Sequence, residues 1–273
     1  MKEDASQEST VLPESSQLDH KAQINPESIG VFLIHGFTGS PYEFSPLTPY
    51  LEDLGYKTHL VTLPAHGDFP DKHLADVSIN DLLNHCASEY VRFSSTVNSV
   101  YIVGHSLGGV CSLLTASLQP EKLAGIVVFA TPFEHAYTLN YTHGMLKEPF
   151  QKIVQGIRLA LKDRIPFQRP VFAPWDMPKL MREGDQLFTV LKRNIQNIRV
   201  PVILTHSKID MTVPYEEMEK LKIALTPHCP VTAITLKQNG HGIFPASQDI
   251  SEALEIIIQF ITTGDITQNT QVH

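Results

Sequence analysis

The stretch Ser99-Val-Tyr-Ile-Val-Gly-His-Ser-Leu-Gly-Gly-Val-Cys-Ser-Leu-Leu-Thr-Ala-Ser-Leu118 decides the fold. Residues 99–103 are apolar, β-branched and of strand length, and residues 110–118 read as a helix. Between them Gly104-His105-Ser106-Leu107-Gly108 spells G-x-S-x-G. A strand that turns straight into a helix needs residues without bulk two positions either side of the turn, and Gly104 and Gly108 supply that. Such a turn lifts the Ser106 hydroxyl above the sheet. The helix that follows aims its positive end at the place where negative charge would develop on a substrate. Without its flanks the motif would be only a glycine-rich turn; with them it marks a candidate nucleophile.

Working outward, Ile29-Gly-Val-Phe-Leu-Ile34 is continuously apolar, as a parallel strand covered on both faces would be. A helix is predicted over 42–54, with Phe44, Leu47, Tyr50, Leu51 and Leu54 as its apolar stripe and Gly55 as its stop. A strand over 56–63, a loop over 64–68, a helix over 79–94 and a strand over 123–129 follow. This alternation predicts an α/β chain with a doubly wound, mainly parallel sheet. From 132 to 197 the rhythm breaks into helical patterns over 144–162 and 177–194, joined by proline- and aromatic-rich turns. It resumes with strands over 200–206 and 231–236 and helices over 215–225 and 248–262. The division expected is a polar tail over 1–28, a core over 29–131 and 198–263, a helical cap over 132–197 and a polar tail over 264–273. An insertion there lies over the carboxyl ends of the strands, where such sheets bind ligands. It reads as a cover for substrate, with Trp175, the single tryptophan, between its helices; the alternative is an elaborated crossover that only shields the sheet.

Composition narrows the function classes. The 273 residues carry a formal charge of −8 and no basic run, which argues against a nucleic-acid partner. No stretch is apolar enough to span a membrane, and the first residues lack the apolar centre of a secretory signal. The three cysteines follow no metal spacing, and their odd number fits a reduced, cytoplasmic protein. Neither a phosphate loop nor a metal cluster is recognisable, so no cofactor is expected.

A serine hydroxyl needs a base to take its proton and an acid to orient that base. With a nucleophile on this kind of turn, the chain order is serine, acid, histidine. Asp210 follows the strand over 200–206 by a few residues and is the candidate acid, with an ordinary turn aspartate as the alternative. His241, between Gly240 and Gly242 after the last strand, is the candidate base; with thirteen histidines in the chain, only its place in the order singles it out. A tetrahedral oxyanion needs two donors. The N–H of Leu107 is one, and the N–H of Phe37, in the loop after the first strand, is the other. Gly36 allows close backbone approach there. Gly36, Phe37, His105 and Trp175 are expected to border the substrate; His105 and His206, near the site by sequence, read as wall or packing residues.

His35-Gly-Phe-Thr-Gly39, Pro64-Ala-His-Gly67, Gly104-His-Ser-Leu-Gly108, Ile209-Asp210 and Gly240-His241 together resemble the bacterial carboxylesterase and monoacylglycerol lipase group of the α/β-hydrolases, over about residues 29–262. The resemblance implies the α/β-hydrolase fold with a small helical cap between the sixth and seventh strands. It also implies Ser106 as nucleophile, Asp210 as orienter, His241 as base, Phe37 and Leu107 as oxyanion donors, and a small-molecule ester as substrate. Two residues depart from the group's pattern: Ile209, where a polar residue is common, and Ala65, where glycine is usual. A thioesterase, amidase or peptidase on the same three residues is the main rival, and a non-catalytic ligand-binding member of the fold is the second.

Overall fold

A computed structural model describes residues 28–67, 73–134, 176–237, 240–244 and 251–264. Strands β1 (Ile29–Ile34), β2 (Lys57–Val61), β3 (Ser99–His105), β4 (Leu123–Phe129), β5 (Val202–Ser207) and β6 (Val231–Leu236) form one sheet in the order β2-β1-β3-β4-β5-β6. Every pairing in it is parallel. The chain runs outward from β1 to β2 and then returns to lay β3 on the other side of β1. That reversal opens a crevice at the carboxyl ends of β1 and β3.

Alternate residues of each strand feed opposite faces. Phe32 and Ile34 of β1 pack with α2 (Ile79–Ser94), α3 (Leu107–Ser117) and α5 (Glu216–Leu225). Val31 and Leu33 pack on the other side with α1 (Thr48–Asp53) and α6 (Ser251–Thr263). Helix α2 begins with a reciprocal cap, Ser78 Oγ accepting from Asp81 N and the Asp81 carboxylate accepting from Ser78 N. Helix α3 is buried along its whole length from Gly108 to Ser117, which is why its sequence shows no polar face.

The helix expected over 42–54 is instead a short 3₁₀ turn, Pro41–Phe44, followed by the six-residue α1. Pro41, Pro46 and Pro49 lack the N–H that a continuous helix would use, and each restricts the residue before it. The break turns Tyr50 and Leu54 to solvent, whereas Phe44, Leu47 and Leu51 are buried as expected.

The helical insertion lies between the fourth and fifth of the described strands, so a count of sixth and seventh does not apply to them. Helix α4 (Met177–Asn194) is its described part; the helix expected over 144–162 and Trp175 lie outside the described residues. Helix α4 has two jobs along its length. Leu187, Phe188 and Leu191 join the core beneath it, while Leu180, Met181 and Gly184 face a cavity. Where the chain leaves β4, the buried Glu217 carboxylate of α5 accepts from the N–H groups of Phe133 (2.8 Å) and Glu134 (2.6 Å). Lys220 bridges Glu217 and Glu134, and Lys192 of α4 reaches Glu134 at 3.3 Å. The outgoing and returning chains are thereby fastened to one another.

Candidate active site

Because all strands run the same way, the loops after β1, β3, β5 and β6 converge on one edge of the sheet. Ser106 sits at the turn between β3 and α3 with φ 52° and ψ −117°, a conformation that a side-chain-bearing residue adopts only when its surroundings enforce it. Both glycines of the motif are held to zero bulk by close approach. A Cβ on Gly104 would meet Ser112 Oγ at 2.2 Å, and one on Gly108 would meet the Ile34 carbonyl at 2.0 Å.

His241 Nε2 lies 3.1 Å from Ser106 Oγ, and His241 Nδ1 lies 2.9 Å from Asp210 Oδ2. A carboxylate only accepts, so the Nδ1 nitrogen carries the proton and Nε2 is left to accept from the serine hydroxyl. The Asp210 side chain is fully enclosed. Its Oδ1 accepts from the N–H groups of Thr212 (2.7 Å) and Val213 (2.9 Å), and its Oδ2 also lies 3.2 Å from His206 Nε2. Burial works against its charge, but the bonds from His206 and His241, the His241 charge and the Val213 amide hold its carboxyl well below the usual carboxylate range. His241 is shifted down from the ordinary imidazole value, chiefly by burial and further by the nearby His105, against the pull of Asp210. The neutral, proton-accepting form is thus favoured near neutral pH.

The loop after β1 is fixed amide by amide. Gly36 N–H donates to Glu43 Oε2 (3.0 Å), Thr38 N–H to His66 Nε2 (3.1 Å) and Gly39 N–H to the Gly36 carbonyl (3.0 Å). His35 Nε2 accepts from Leu63 N–H and its Nδ1 faces the Gly36 carbonyl, which ties β1 to the loop after β2. Burial first, then the neighbouring His66, push the His35 pKa down to about 4, and burial also lowers His66. Both rings serve as neutral braces. The Ala65 backbone, at φ 60°, takes a left-handed shape that glycine adopts more readily, which accounts for the glycine usual at that position.

Beside these loops lies a cavity of about 700 Å³, its open mouth included. Phe37 and Leu107 form part of its wall, with Leu74, Val77, Ile79, Leu82, Leu180, Met181 and Leu187 behind them. The lining is almost wholly apolar, and Ser78, His66 and Glu183 are its polar members. The N–H of Leu107 opens helix α3 and so has no carbonyl one turn earlier to bond.

The structure therefore brings Ser106, His241 and Asp210 into one hydrogen-bonded row and sets Phe37 and Leu107 together at the cavity. Gly36 and His105 do not line that cavity. His105 is buried between Glu43 and the His241 carbonyl, and Gly36 packs against the His105 ring. Trp175 lies outside the described residues. One contributor escaped the sequence reading: Glu43, which could have been flagged as an acid within an apolar stripe. His206, expected near the site, lies against Asp210 Oδ2.

A parallel α/β sheet with a serine on its strand-to-helix turn, hydrogen-bonded to a histidine from the loop after the last strand, defines a class of protein, and the comparisons agree with it. The chain matches the Alpha/beta hydrolase family over residues 31–253 and belongs to that family. It is 30% identical over 102 residues to the thermostable monoacylglycerol lipase of Bacillus sp. (strain H-257), covering 36% of this chain and 39% of that one. It is 34% identical over 103 residues to a carboxylesterase of Bacillus subtilis (strain 168), covering 37% and 41%. The chain thus spans about two fifths of the length of these curated relatives. Among solved structures, the Paleococcus ferrophilus monoacylglycerol lipase superposes with a TM-score of 0.63 at 18% identity, over 88% of this chain and 96% of that one. None of the described helices is long and apolar enough to cross a membrane.

Proposed function

We propose that the protein is a serine hydrolase of carboxylic esters, acting on short- to medium-chain acyl groups through Ser106, His241 and Asp210. One observation carries the reading: a part-buried row of hydrogen bonds ends on the Ser106 hydroxyl, and the next residue, Leu107, lines an apolar cavity. Ser106 Oγ attacks the ester carbonyl carbon while its proton passes to His241 Nε2. Asp210 stabilises the imidazolium that forms. The N–H groups of Leu107 and Phe37 receive the negative charge on the carbonyl oxygen. The tetrahedral intermediate collapses, His241 hands its proton to the leaving alkoxide, and the alcohol departs. Water then attacks the acyl-enzyme with His241 as base, which releases the carboxylic acid and restores Ser106.

The apolar lining next to Phe37 and Leu107 supports the reading of that cavity as the acyl site. The names of the matched relatives, a monoacylglycerol lipase and a carboxylesterase, point to the same substrate class. Three free, buried cysteines agree with a reducing, cytoplasmic setting. The test is covalent labelling with a fluorophosphonate together with turnover of 4-nitrophenyl esters. Ser106→Ala is expected to abolish the label, to lose on the order of 10⁶ in kcat and to keep its fold. Turnover within tenfold of the parent, or a label on another residue, would overturn the assignment.

A further inference from the structure

His105 stands next to Ser106 in sequence, yet its ring turns away from the cavity into a closed polar knot. Its Nδ1 contacts Glu43 Oε1, and its Nε2 lies 2.6 Å from the His241 carbonyl oxygen. The His241 carbonyl only accepts, so Nε2 carries a proton; beside an ionised Glu43 carboxylate, which can only accept, Nδ1 carries one too and the ring is an imidazolium. The other oxygen of Glu43 takes the N–H of Gly36 at 3.0 Å. One carboxylate thus holds the loop after β1, and one imidazolium holds the loop after β6. The second loop is anchored beyond the base by Ile243, which is buried in the core. It reads Gly240-His241-Gly242, and a Cβ on Gly240 would touch nothing within 4 Å.

We propose that Glu43 and His105 are positioning residues, a buried carboxylate–imidazolium pair that locks the loop bearing Phe37 to the loop bearing His241 and so sets both sides of the site in one register. Removing one partner strands a buried charge, so the two stand or fall together. The catalytic consequence rests on the proposed hydrolase activity; the mechanical link does not. The titratable groups around His105 are Glu43 from the turn after β1, His35 at the end of β1, Asp210 from the loop after β5 and His241 itself. Burial opposes charge on His105, but Glu43, by its charge and hydrogen bond, and the His241 carbonyl raise it above the ordinary imidazole value. His35 is neutral. At His241 the His105 charge weighs more than that of Glu43.

The test compares the full chain with Glu43→Ala and Glu43→Gln. The first readout is amide hydrogen exchange over 36–39 and 240–244, which needs no turnover. In Glu43→Ala both segments are expected to exchange faster, by about tenfold or more, because the Gly36 N–H has lost its acceptor and the His105 bond to the His241 carbonyl has lost both its charge and the partner that holds the ring in place. The side-chain amide introduced by Glu43→Gln can still accept from Gly36 and donate to His105 Nδ1, so this variant is expected to restore most of the protection. The second readout is ester turnover. Glu43→Ala is expected to lose on the order of 10–10² in kcat with KM within about threefold, as a misaligned base would. Glu43→Gln leaves His105 neutral, which removes the charge that opposes protonation of His241, so the acid limb of its pH profile is expected to move to higher pH. Unchanged exchange over 240–244 in Glu43→Ala overturns the proposal. If that variant does not fold, an acid limb that stays in place in Glu43→Gln overturns it. A parent chain that hydrolyses no ester refutes the hydrolase reading alone, and the exchange data still decide this one.

Discussion

Asp210→Asn separates geometry from charge within the candidate site. The side chain is fully enclosed and receives four donors: two backbone amides on Oδ1, and His241 and His206 on Oδ2. Asparagine can keep its carbonyl oxygen toward Thr212 and Val213, which places its NH₂ group against two ring N–H groups. His206 can retain its proton on the Val213 carbonyl, 2.9 Å away. His241 has no such alternative. It escapes the donor–donor clash only by moving its proton from Nδ1 to Nε2, and a protonated Nε2 cannot take the proton of Ser106. The expected loss is therefore on the order of 10⁴ in kcat, about 5.5 kcal/mol of barrier, with the backbone in place. A charge-assisted bond is also lost, at a cost of about 1.5–3 kcal/mol. That corresponds to a Tm lower by about 3–12 °C. The stability deficit has a pH signature. The folded pKa of Asp210 is depressed, so its contribution is present above the unfolded value of about 3.9 and is lost as pH falls through the folded value. The gap in Tm between parent and variant is expected to narrow below about pH 4. Initial rates on a 4-nitrophenyl ester, with melting curves followed by circular dichroism, measure both effects. An activity loss under tenfold with an intact spectrum would refute the reasoning, because His241 would then keep its tautomer without the carboxylate.

Burial lowers the His241 pKa, so the acid limb of kcat/KM is expected below the ordinary imidazole value of about 6.5, and a limb at or above it counts against His241 as base. Gly108→Ala drives a methyl into the Ile34 carbonyl and is expected to cost about 1–3 kcal/mol, read as a Tm drop of about 2–12 °C; an unchanged Tm would show that the β3–α3 turn can relax. Leu180→Ala enlarges the cavity from the α4 side and is expected to move the acyl-length optimum upward, with up to about fourfold in kcat/KM for each methylene newly housed; an unmoved optimum would place the acyl chain elsewhere.

The first strand was legible because a parallel strand buried on both faces leaves an uninterrupted apolar signature, while the edge strands β2 and β6 are half-exposed and mixed. All six residues of β1 are buried, and so are all six of β5. Helices α2 and α4 were legible for a different reason: each carries one apolar face, and Ser78 and Asp81 mark where α2 begins. The segment over 42–54 misled because its apolar spacing suits a helix while its prolines forbid one. At the site, Ser106, Asp210 and His241 could be picked out by chain order alone, since each falls a few residues after a strand end. Glu43 falls under no such order, and the contact that His206 makes does not show from its place near the site. Each makes its contact with residues from another loop or with a neighbour at the strand end, and a single sequence does not record which side chains the topology will bring face to face. His105, which adjacency to Ser106 left open between wall and packing, packs: as the last residue of β3 it continues the face of Tyr101 and Val103, on the side of α1 and α6.

The knot of Glu134, Lys192, Glu217 and Lys220 has a consequence for how such a protein can change over generations. The two ends of the insertion are clasped at its base, outside the hydrogen-bonded row of the site. Lengthening a segment whose ends are already joined costs only about 0.6 kcal/mol per doubling of its length. An insertion exchanged between these clasped ends is therefore expected to leave the sheet and the loops after β1, β3, β5 and β6 in place. Selection for a new substrate can act on that insertion without first having to rescue the fold, and a chimaera that carries another member's insertion between Glu134 and Asp176 is the direct laboratory counterpart.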